Sequence, residues 1–521
     1  MSSVSKTLQK KFEALFFSGI TWLMDRSPWL GKKINKIMIN YIVNKCRHRP
    51  HPWSTVYDYV SWRGLTDKTW SARHLPAKQL RAPKEDLTVE CFRRTEMKYC
   101  TASTCLFPAF AQYLTDSFIR TKMPKQGEPD DPTRKQNTSN HEIDMSPLYG
   151  RTHEQTQALR LLSNKPGEKG KLKSQTIDSE EFAPFLYDQD GSIKSEFTIL
   201  DAPLMSDKLR ARKDVVSKIF AFGGDRANAS PQVAMMNTLF LREHNRITGL
   251  LEKHHTDWDD DHVFEVTRNI IIVLFIKIVI EEYINHIASS FKFAADPSVG
   301  WDAAWNKPNW ITTEFSLLYR FHQLIPDKLH LGGKDYPVAQ IIMNNQLLLS
   351  TGLKQAFLDM SNQRAGQIGP LNTPEALLHL EALAIKQGRM CELASYSDYR
   401  EYASLSRPKK FADISTNPEI IKLLEQTYHS VDDVEFYVGL FAEDRDTSSP
   451  LPPLLRTIVA VDAFSQALTN PLLSKHVYNA ETFTKEGMEI INQTSTMRDI
   501  VQRNVAGGLS ETDFVGMTRK R

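Results

Sequence analysis

The sequence predicts a mainly α-helical protein in which a large helical body follows a basic, amphipathic N-terminal segment. Three observations predict it. Apolar residues recur at helical spacing through the first 45 residues. Past residue 76 the chain reads as helices joined by polar loops. An eleven-residue apolar run, "IIIVLFIKIVI", spans Ile270 to Ile280. At 521 residues the chain exceeds the ~250–300 over which a single core normally grows, so several domains or one large helical body must form. The division expected is residues 1–54 as N-terminal helices and 55–521 as the body.

The N-terminal segment carries the charge. Residues 1–50 hold ten Lys and Arg against Glu13 and Asp25, a surplus of eight, while the whole chain is only +3, leaving the remainder at −5. Leu8, Phe12, Leu15, Phe16, Ile20 and Leu23 repeat at helical spacing, and Leu30, Ile34, Ile37, Met38, Tyr41 and Ile42 repeat the pattern. Lysines interrupt both runs well before the ~18–20 residues of a membrane span. A basic amphipathic helix with Phe and Trp on one face suits a membrane surface, and packing on the body fits equally. Nucleic-acid binding through the lysines ranks below both and is not expected.

Five cysteines (Cys46, Cys91, Cys100, Cys105, Cys391) form no CxxC pair, and no Ala-x-Ala cleavage signature follows the N-terminus. Neither disulfides nor zinc are expected, and the compartment expected is the reducing, cytoplasmic side. Residues 121–141 and 164–194 are too polar for core and are expected to be surface insertions. The run at Ile270–Ile280 is too short to span a bilayer and reads as a buried core helix.

Three segments carry candidate chemistry. In "TTEFSLLYRFHQLIPD", Tyr319 stands three residues before His322; on a helix their β-carbons would lie ~5–6 Å apart on one face. Two readings fit: ordinary semi-buried helix residues, or a redox pair in which an imidazole ligates a haem iron and a phenol gives up one electron. In "STCLFPAFAQYLTDSFIRTK", Gln112 and Asp116 lie four apart among Phe107, Phe110 and Leu114. Such a polar pair is either hydrogen-bonded at the surface or faces a pocket. In "FGGDRANASPQVAMMNTLFLREHNRITGLL", a Gly-rich turn carrying Asp225 and Arg226 precedes a helix with the dense run Arg242 to Arg246; an internal salt-bridge network is the favoured reading of that run.

Together these residues, with "IDMSPLYG" at 143–150, "IVIEEYI", "VEFYVGLF" at 434–441 and "AFSQALTNPLLSKHVYNAETF" at 463–483, resemble in kind and order the animal-type haem peroxidase and cyclooxygenase superfamily. The fatty-acid dioxygenase branch is the most similar, over roughly residues 55–505. The resemblance implies a helical catalytic domain over 55–521 behind membrane-binding amphipathic helices at residues 5–45. It implies that His322 is the proximal ligand of a non-covalent haem b and that Tyr319 carries the radical, where pure peroxidases have arginine. Ser465, with Phe464, would line the substrate channel, although the interval from Ser465 to Asn470-Pro471 is two residues shorter here. Arg226 matches the distal arginine, in a turn contracted to Gly224-Asp225-Arg226. Arg73 and Arg456 are the candidates for a fatty-acid carboxylate.

The departures from the family pattern are specific. The distal histidine, four residues after Gln112, is replaced by Asp116, a shorter group and, at a reference pKa near 3.9 against about 6.5, a weaker base. Thr115 and Ala229 occupy the positions of the carboxylates that esterify haem in mammalian peroxidases. Ala384 occupies that of the asparagine that bonds the proximal histidine. Asp144 and Ser146 match a calcium loop whose further carboxylate is Ser117 here, so calcium is left unassigned. The function expected is dioxygenation of an unsaturated fatty acid by O₂ through a tyrosyl radical. The alternatives are a peroxidase oxidising small donors, or a haem- or lipid-binding protein impaired in catalysis by Asp116.

Overall fold

In the computed structural model, nine helices frame the parts that matter for function: α1 (Pro28–Asn44), α2 (Leu106–Asp116), α3 (Pro231–His254), α4 (Asp260–Ile278), α5 (Thr313–Leu318), α6 (Leu378–Met390), α7 (Tyr396–Tyr402), α8 (Phe436–Ala442) and α9 (Pro453–Leu468). The structure describes residues 19–22, 24–45, 67–81, 83, 85–122, 135–288, 291–445 and 449–520. Strands are few and short. Among the described residues they form three antiparallel pairs: β1 (Tyr99–Thr104) with β6 (Arg364–Gly366), β2 (Gln175–Ile177) with β3 (Glu180–Phe182), and β4 (Lys328–Leu331) with β5 (Lys334–Pro337).

Helices α3 and α4 pack on each other at the centre, with α2 against α3. Pro231 opens α3, where its missing N–H costs nothing, and the Ser230 hydroxyl caps Val233 N. Asp259 caps α4 through His262 N at 2.8 Å, and Asp260 and Asp261 place negative charge at the positive end of the helix dipole. From Ile270 to Ile278 every residue of α4 is buried, which bears out the core helix read from the apolar run. No helix among the described residues is long and apolar enough to cross a membrane. Beyond Ile278 the helix widens into a π-turn, Val279–Ile284, which carries Tyr283; such turns recur at functional sites.

Helix α1 packs on the body against α9. Its buried stripe is Gly31, Asn35, Ile39 and Val43; of the expected set, Ile34, Met38 and Ile42 flank that stripe half-buried against the core, whereas Ile37 and Tyr41 face solvent. Polar pairing decides the rotation: the Asn35 amide exchanges two 3.1 Å hydrogen bonds with the Ala294 backbone, and Trp305 Nε1 donates to Asn40 Oδ1 at 2.8 Å. The first amphipathic run, Leu8 to Leu23, lies outside the described residues except for its C-terminal end.

The polar stretch 164–194 is not a simple surface insertion. It contains the β2–β3 hairpin and buries Leu172, Phe182 and Ala183. Asn245 of α3 pairs with Leu172 through its amide, accepting from Leu172 N at 2.9 Å and donating to Leu172 O at 3.2 Å. Of the stretch 121–141, residues 123–134 lie outside the described set. Its end is anchored, with Asn137 Nδ2 donating to Phe118 O at 2.8 Å.

Candidate functional site

Tyr319 and His322 do not share a helix. The Thr312 hydroxyl caps α5 through Phe315 N at 3.0 Å, and the helix ends at Leu318; Tyr319 caps its C-terminus and His322 opens a short 3₁₀ turn. Aromatic residues have modest helix propensity, and packing takes over: the Tyr319 ring lies 5.0 Å from Phe315, 5.3 Å from Phe321 and 6.4 Å from Tyr283, centre to centre. The hydroxyls of Tyr319 and Tyr283 are both buried and make no hydrogen bond of ordinary length, although each phenol acts on the other. Burial pushes both phenols well above their ordinary pKa.

His322 is fixed by a carboxylate. Its Nδ1 lies 3.1 Å from Oε1 of Glu381, which is fully buried on α6. The same oxygen accepts from Thr373 Oγ1 at 2.7 Å, and Oε2 accepts from the Tyr437 hydroxyl of α8 at 2.5 Å. Glu381 thus supplies the bond that Ala384, three residues on, has no side chain to make.

Asp116 ends α2, one turn after the exposed Gln112. Its carboxylate is almost fully buried, with Oδ2 unpartnered and Oδ1 3.8 Å from Arg226 Nη1. Burial pushes Asp116 up to about 7, with Arg226 pulling the other way. Arg226 Nη1 also donates to Ile119 O at 3.1 Å. The turn that presents it needs glycine: a Cβ on Gly223 would stand 2.0 Å from Gly150 N. Asp225, in the same turn, is taken by Arg120 at 2.9 Å. Arg320 joins the two halves. Its Nε is buried and unpartnered, Nη2 reaches Gln387 Oε1 at 3.4 Å, and burial with neighbouring Arg226 lowers its pKa. Asp116, Glu381 and Tyr437 all act on it electrostatically.

Phe464 and Ser465 are buried on α9; the Ser465 hydroxyl donates to Asp462 O at 3.1 Å, and Phe464 meets Phe293 edge-on at 4.8 Å. The Asp462 carboxylate pairs with His74 Nε2 at 2.9 Å, His74 Nδ1 lies 3.1 Å from the Tyr402 hydroxyl of α7, and the charge of Asp462 reaches Tyr319. Arg73, beside His74, donates to Cys391 O at 2.9 Å. The structure therefore brings the segment of Arg73 to the helix of Ser465. Arg456 lies apart: it acts on Glu443 and stands nine residues before Ser465, ~13 Å along the helix axis.

The Arg242–Arg246 run forms the structural network read from the sequence. Arg242 pairs with Glu180 at 2.8 Å, and buried Glu243 holds Arg246 at 2.8 Å and Arg503 at 2.7 Å. His244 lies 2.9 Å from both the Tyr149 hydroxyl and Gly170 O, and burial lowers its pKa to about 3, keeping it neutral. In the loop matched to calcium, Asp144 Oδ1 accepts from Ser146 N at 2.9 Å, and the Ser146 hydroxyl donates to Ser117 O at 3.1 Å. Among the described residues no group of three or more His, Cys, Asp or Glu is arranged to hold a metal ion. Glu381, Tyr437, Tyr283, Arg320, His74 and Asp462 escaped the sequence reading. The signal for Glu381 and Asp462 was there: each is a buried carboxylate on an otherwise apolar helix face.

Known proteins are similar to this chain in sequence and in fold. Prostaglandin G/H synthase 2 of Equus caballus is 29% identical over 511 residues, covering 94% of this chain and 80% of that protein. Peroxidase A from Dictyostelium discoideum shares the fold at a TM-score of 0.66 and 19% identity, over 87% of this chain and 97% of that one. Oryza sativa fatty acid alpha-dioxygenase, solved with palmitic acid, does so at 0.68 and 17%, over 96% and 94%. The sequence profile of the animal haem peroxidases matches residues 106–513, which take in Asp116, Arg226, Tyr319, His322, Glu381 and Ser465 alike. The chain belongs to the animal haem peroxidase family.

Proposed function

We propose that this protein is a haem-dependent dioxygenase that converts unsaturated fatty acids to hydroperoxides through a radical on Tyr319. The observation that carries the reading is Tyr319 itself: a phenol packed among Phe315, Phe321 and Tyr283, its buried hydroxyl coupled to that of Tyr283, three residues from His322. A neutral phenoxyl is well suited to such a site, because it carries no charge to desolvate.

The donor set fits a haem. With His322 Nδ1 facing Glu381, Nε2 is the nitrogen left to bind iron. The buried, unpartnered Asp116 Oδ2 and Arg320 Nε are polar atoms that protein groups leave unsatisfied. Thr115 and Ala229 offer no carboxylate for an ester, in keeping with non-covalent haem b. When bound, haem supplies the one-electron oxidant.

The oxygenation cycle then belongs to Tyr319. Its radical takes a hydrogen atom from the fatty acid, O₂ adds to the carbon radical, and the peroxyl radical takes the hydrogen back from the phenol. The sum is one fatty acid plus one O₂ giving one hydroperoxide. At a pKa near 7, Asp116 Oδ2 can accept and return the proton of an incoming hydroperoxide, with Arg226 beside it. Arg73 and Ser465 are assigned to the substrate channel.

Residues 5–45 are proposed to meet a membrane surface on its cytoplasmic side. On α1, Trp29, Ile37 and Tyr41 are each about two-thirds exposed beside Lys32, Lys33 and Lys36, and Lys33 Nζ lies 3.9 Å over the Trp29 ring. Oligomeric state plays no part in this reading.

The test is oxygen uptake by haem-loaded protein given an unsaturated fatty acid, with product analysis by mass spectrometry. Tyr319→Phe should abolish uptake yet keep phenol oxidation by peroxide. Uptake unchanged by that substitution would overturn the assignment.

A further inference from the structure

We infer that Glu381 is the positioning residue that makes His322 a strongly electron-donating ligand, biasing the bound iron toward its ferric state. The inference rests on the assignment of haem to His322 and goes beyond it. The buried side of α6 carries Leu378, Glu381, Ala384 and Ile385, so Glu381 is the one charged group in an apolar stripe. Packing alone gives no reason for it, since a hydrophobic residue of similar size generally does as well as a buried ion pair.

Its surroundings hold it as an acceptor. Thr373, five residues before α6, donates to Oε1 from one side, and Tyr437 of α8 donates to Oε2 from the other. His322 completes the set at 3.1 Å. Because three groups from three parts of the chain converge on it, the carboxylate cannot swing away from the imidazole. A charge-assisted bond draws the Nδ1 proton more strongly than an amide or a backbone carbonyl would. The imidazole thereby gains imidazolate character, and Nε2 becomes a stronger electron donor to a bound metal. Hydrogen bonding around an axial ligand is one of the protein's levers on a haem potential. Tyr437 moderates the effect, because its donation to the same carboxylate competes with that of His322.

Redox titration of the haem-loaded full chain, with resonance Raman of the ferrous iron–imidazole stretch, tests this. Glu381→Gln should shift the ferric/ferrous ratio toward ferrous by about tenfold at fixed potential, ~59 mV for one electron, and lower the stretching frequency. Tyr437→Phe should move both quantities the opposite way, since the carboxylate then serves His322 with one competitor fewer. A midpoint and stretch in Glu381→Gln matching those of the unmodified protein overturn the inference. So does displacement of both variants in the same direction, the mark of a merely structural role. If Glu381→Gln fails to fold, a Tyr437→Phe midpoint that does not become more negative still overturns it. An unmodified protein that binds no haem instead removes the assignment on which the inference rests.

Discussion

Asp116 and Arg226 stand 3.8 Å apart, and the carboxylate oxygen turned away from the arginine is buried without a partner. Distance and burial together explain why the group sits near neutrality in proton affinity: desolvation raises it and the guanidinium offsets only part of the rise.

An imidazole is the longer group and, unlike the buried Asp116 carboxylate, is uncharged when it acts as the base, so the pocket need not desolvate a charge. Asp116→His in haem-loaded protein should raise peroxide-driven oxidation of phenols by about tenfold at pH 7, within the range general acid–base groups contribute. In the unmodified protein the same turnover should climb as pH rises through about 7, where the Asp116 proton leaves. Steady-state rates from pH 5 to 9 check both, and a flat profile removes Asp116 from proton transfer.

The pair also makes stability depend on pH. Folding raises the pKa of Asp116 from 3.8 to about 7, so the folded state keeps a proton that the unfolded chain has lost. The stability this group allows is complete below about pH 4 and is lost progressively as pH rises from about 4 to about 7. Asp116→Asn carries no such proton. In thermal melts of the haem-free protein the variant's advantage should be absent near pH 4, no more than about 1–2 kcal/mol at pH 5 and no more than about 4 kcal/mol at pH 8; equal melting temperatures at pH 8 would contradict it.

The two faces of α1 should separate in mutagenesis. Ile39 is fully buried, so Ile39→Ala should cost ~2–5 kcal/mol in denaturant unfolding. Trp29→Ser with Ile37→Ser removes only exposed groups and should leave stability within ~0.5 kcal/mol. The double variant should sediment less with phosphatidylserine-containing vesicles; undiminished sedimentation argues against a membrane role for this face.

Gly223→Ala tests the turn that presents Arg226. A methyl group there meets Gly150 N at 2.0 Å and Ser146 O at 2.4 Å, both backbone atoms that cannot step aside. The cost expected is ~3 kcal/mol, at the upper end for overpacking, with a fall in peroxide-driven turnover. A variant as stable and as active as the parent would show that the turn relaxes freely.

What could be read in the sequence was whatever depends on residue order alone. The apolar run at Ile270–Ile280 announced a buried helix because its period and lack of charge leave few other places to put it. The order of Gln112, Arg226, Tyr319 and His322 announced the family, since a shared chain order of such motifs is hard to reach by chance. The dense charge at Arg242–Arg246 was rightly read as structural, because so many ions on one helix demand partners.

Tertiary structure alone decided the rest. The sequence could place Tyr319 three residues from His322 but not end α5 at Leu318, a choice made by aromatic packing against Tyr283 and Phe315. It could note Ala384 where an asparagine was expected, but not that Glu381 would reach the imidazole from one turn away, 59 residues along the chain. The inner face of α1 was set by hydrogen bonds that Asn35 donates to Ala294 O and Asn40 accepts from Trp305, residues more than 250 positions distant. Pairing of this kind is invisible to local pattern, because the free energy lies in satisfying buried polar groups across the fold and not in the spacing of apolar residues along it.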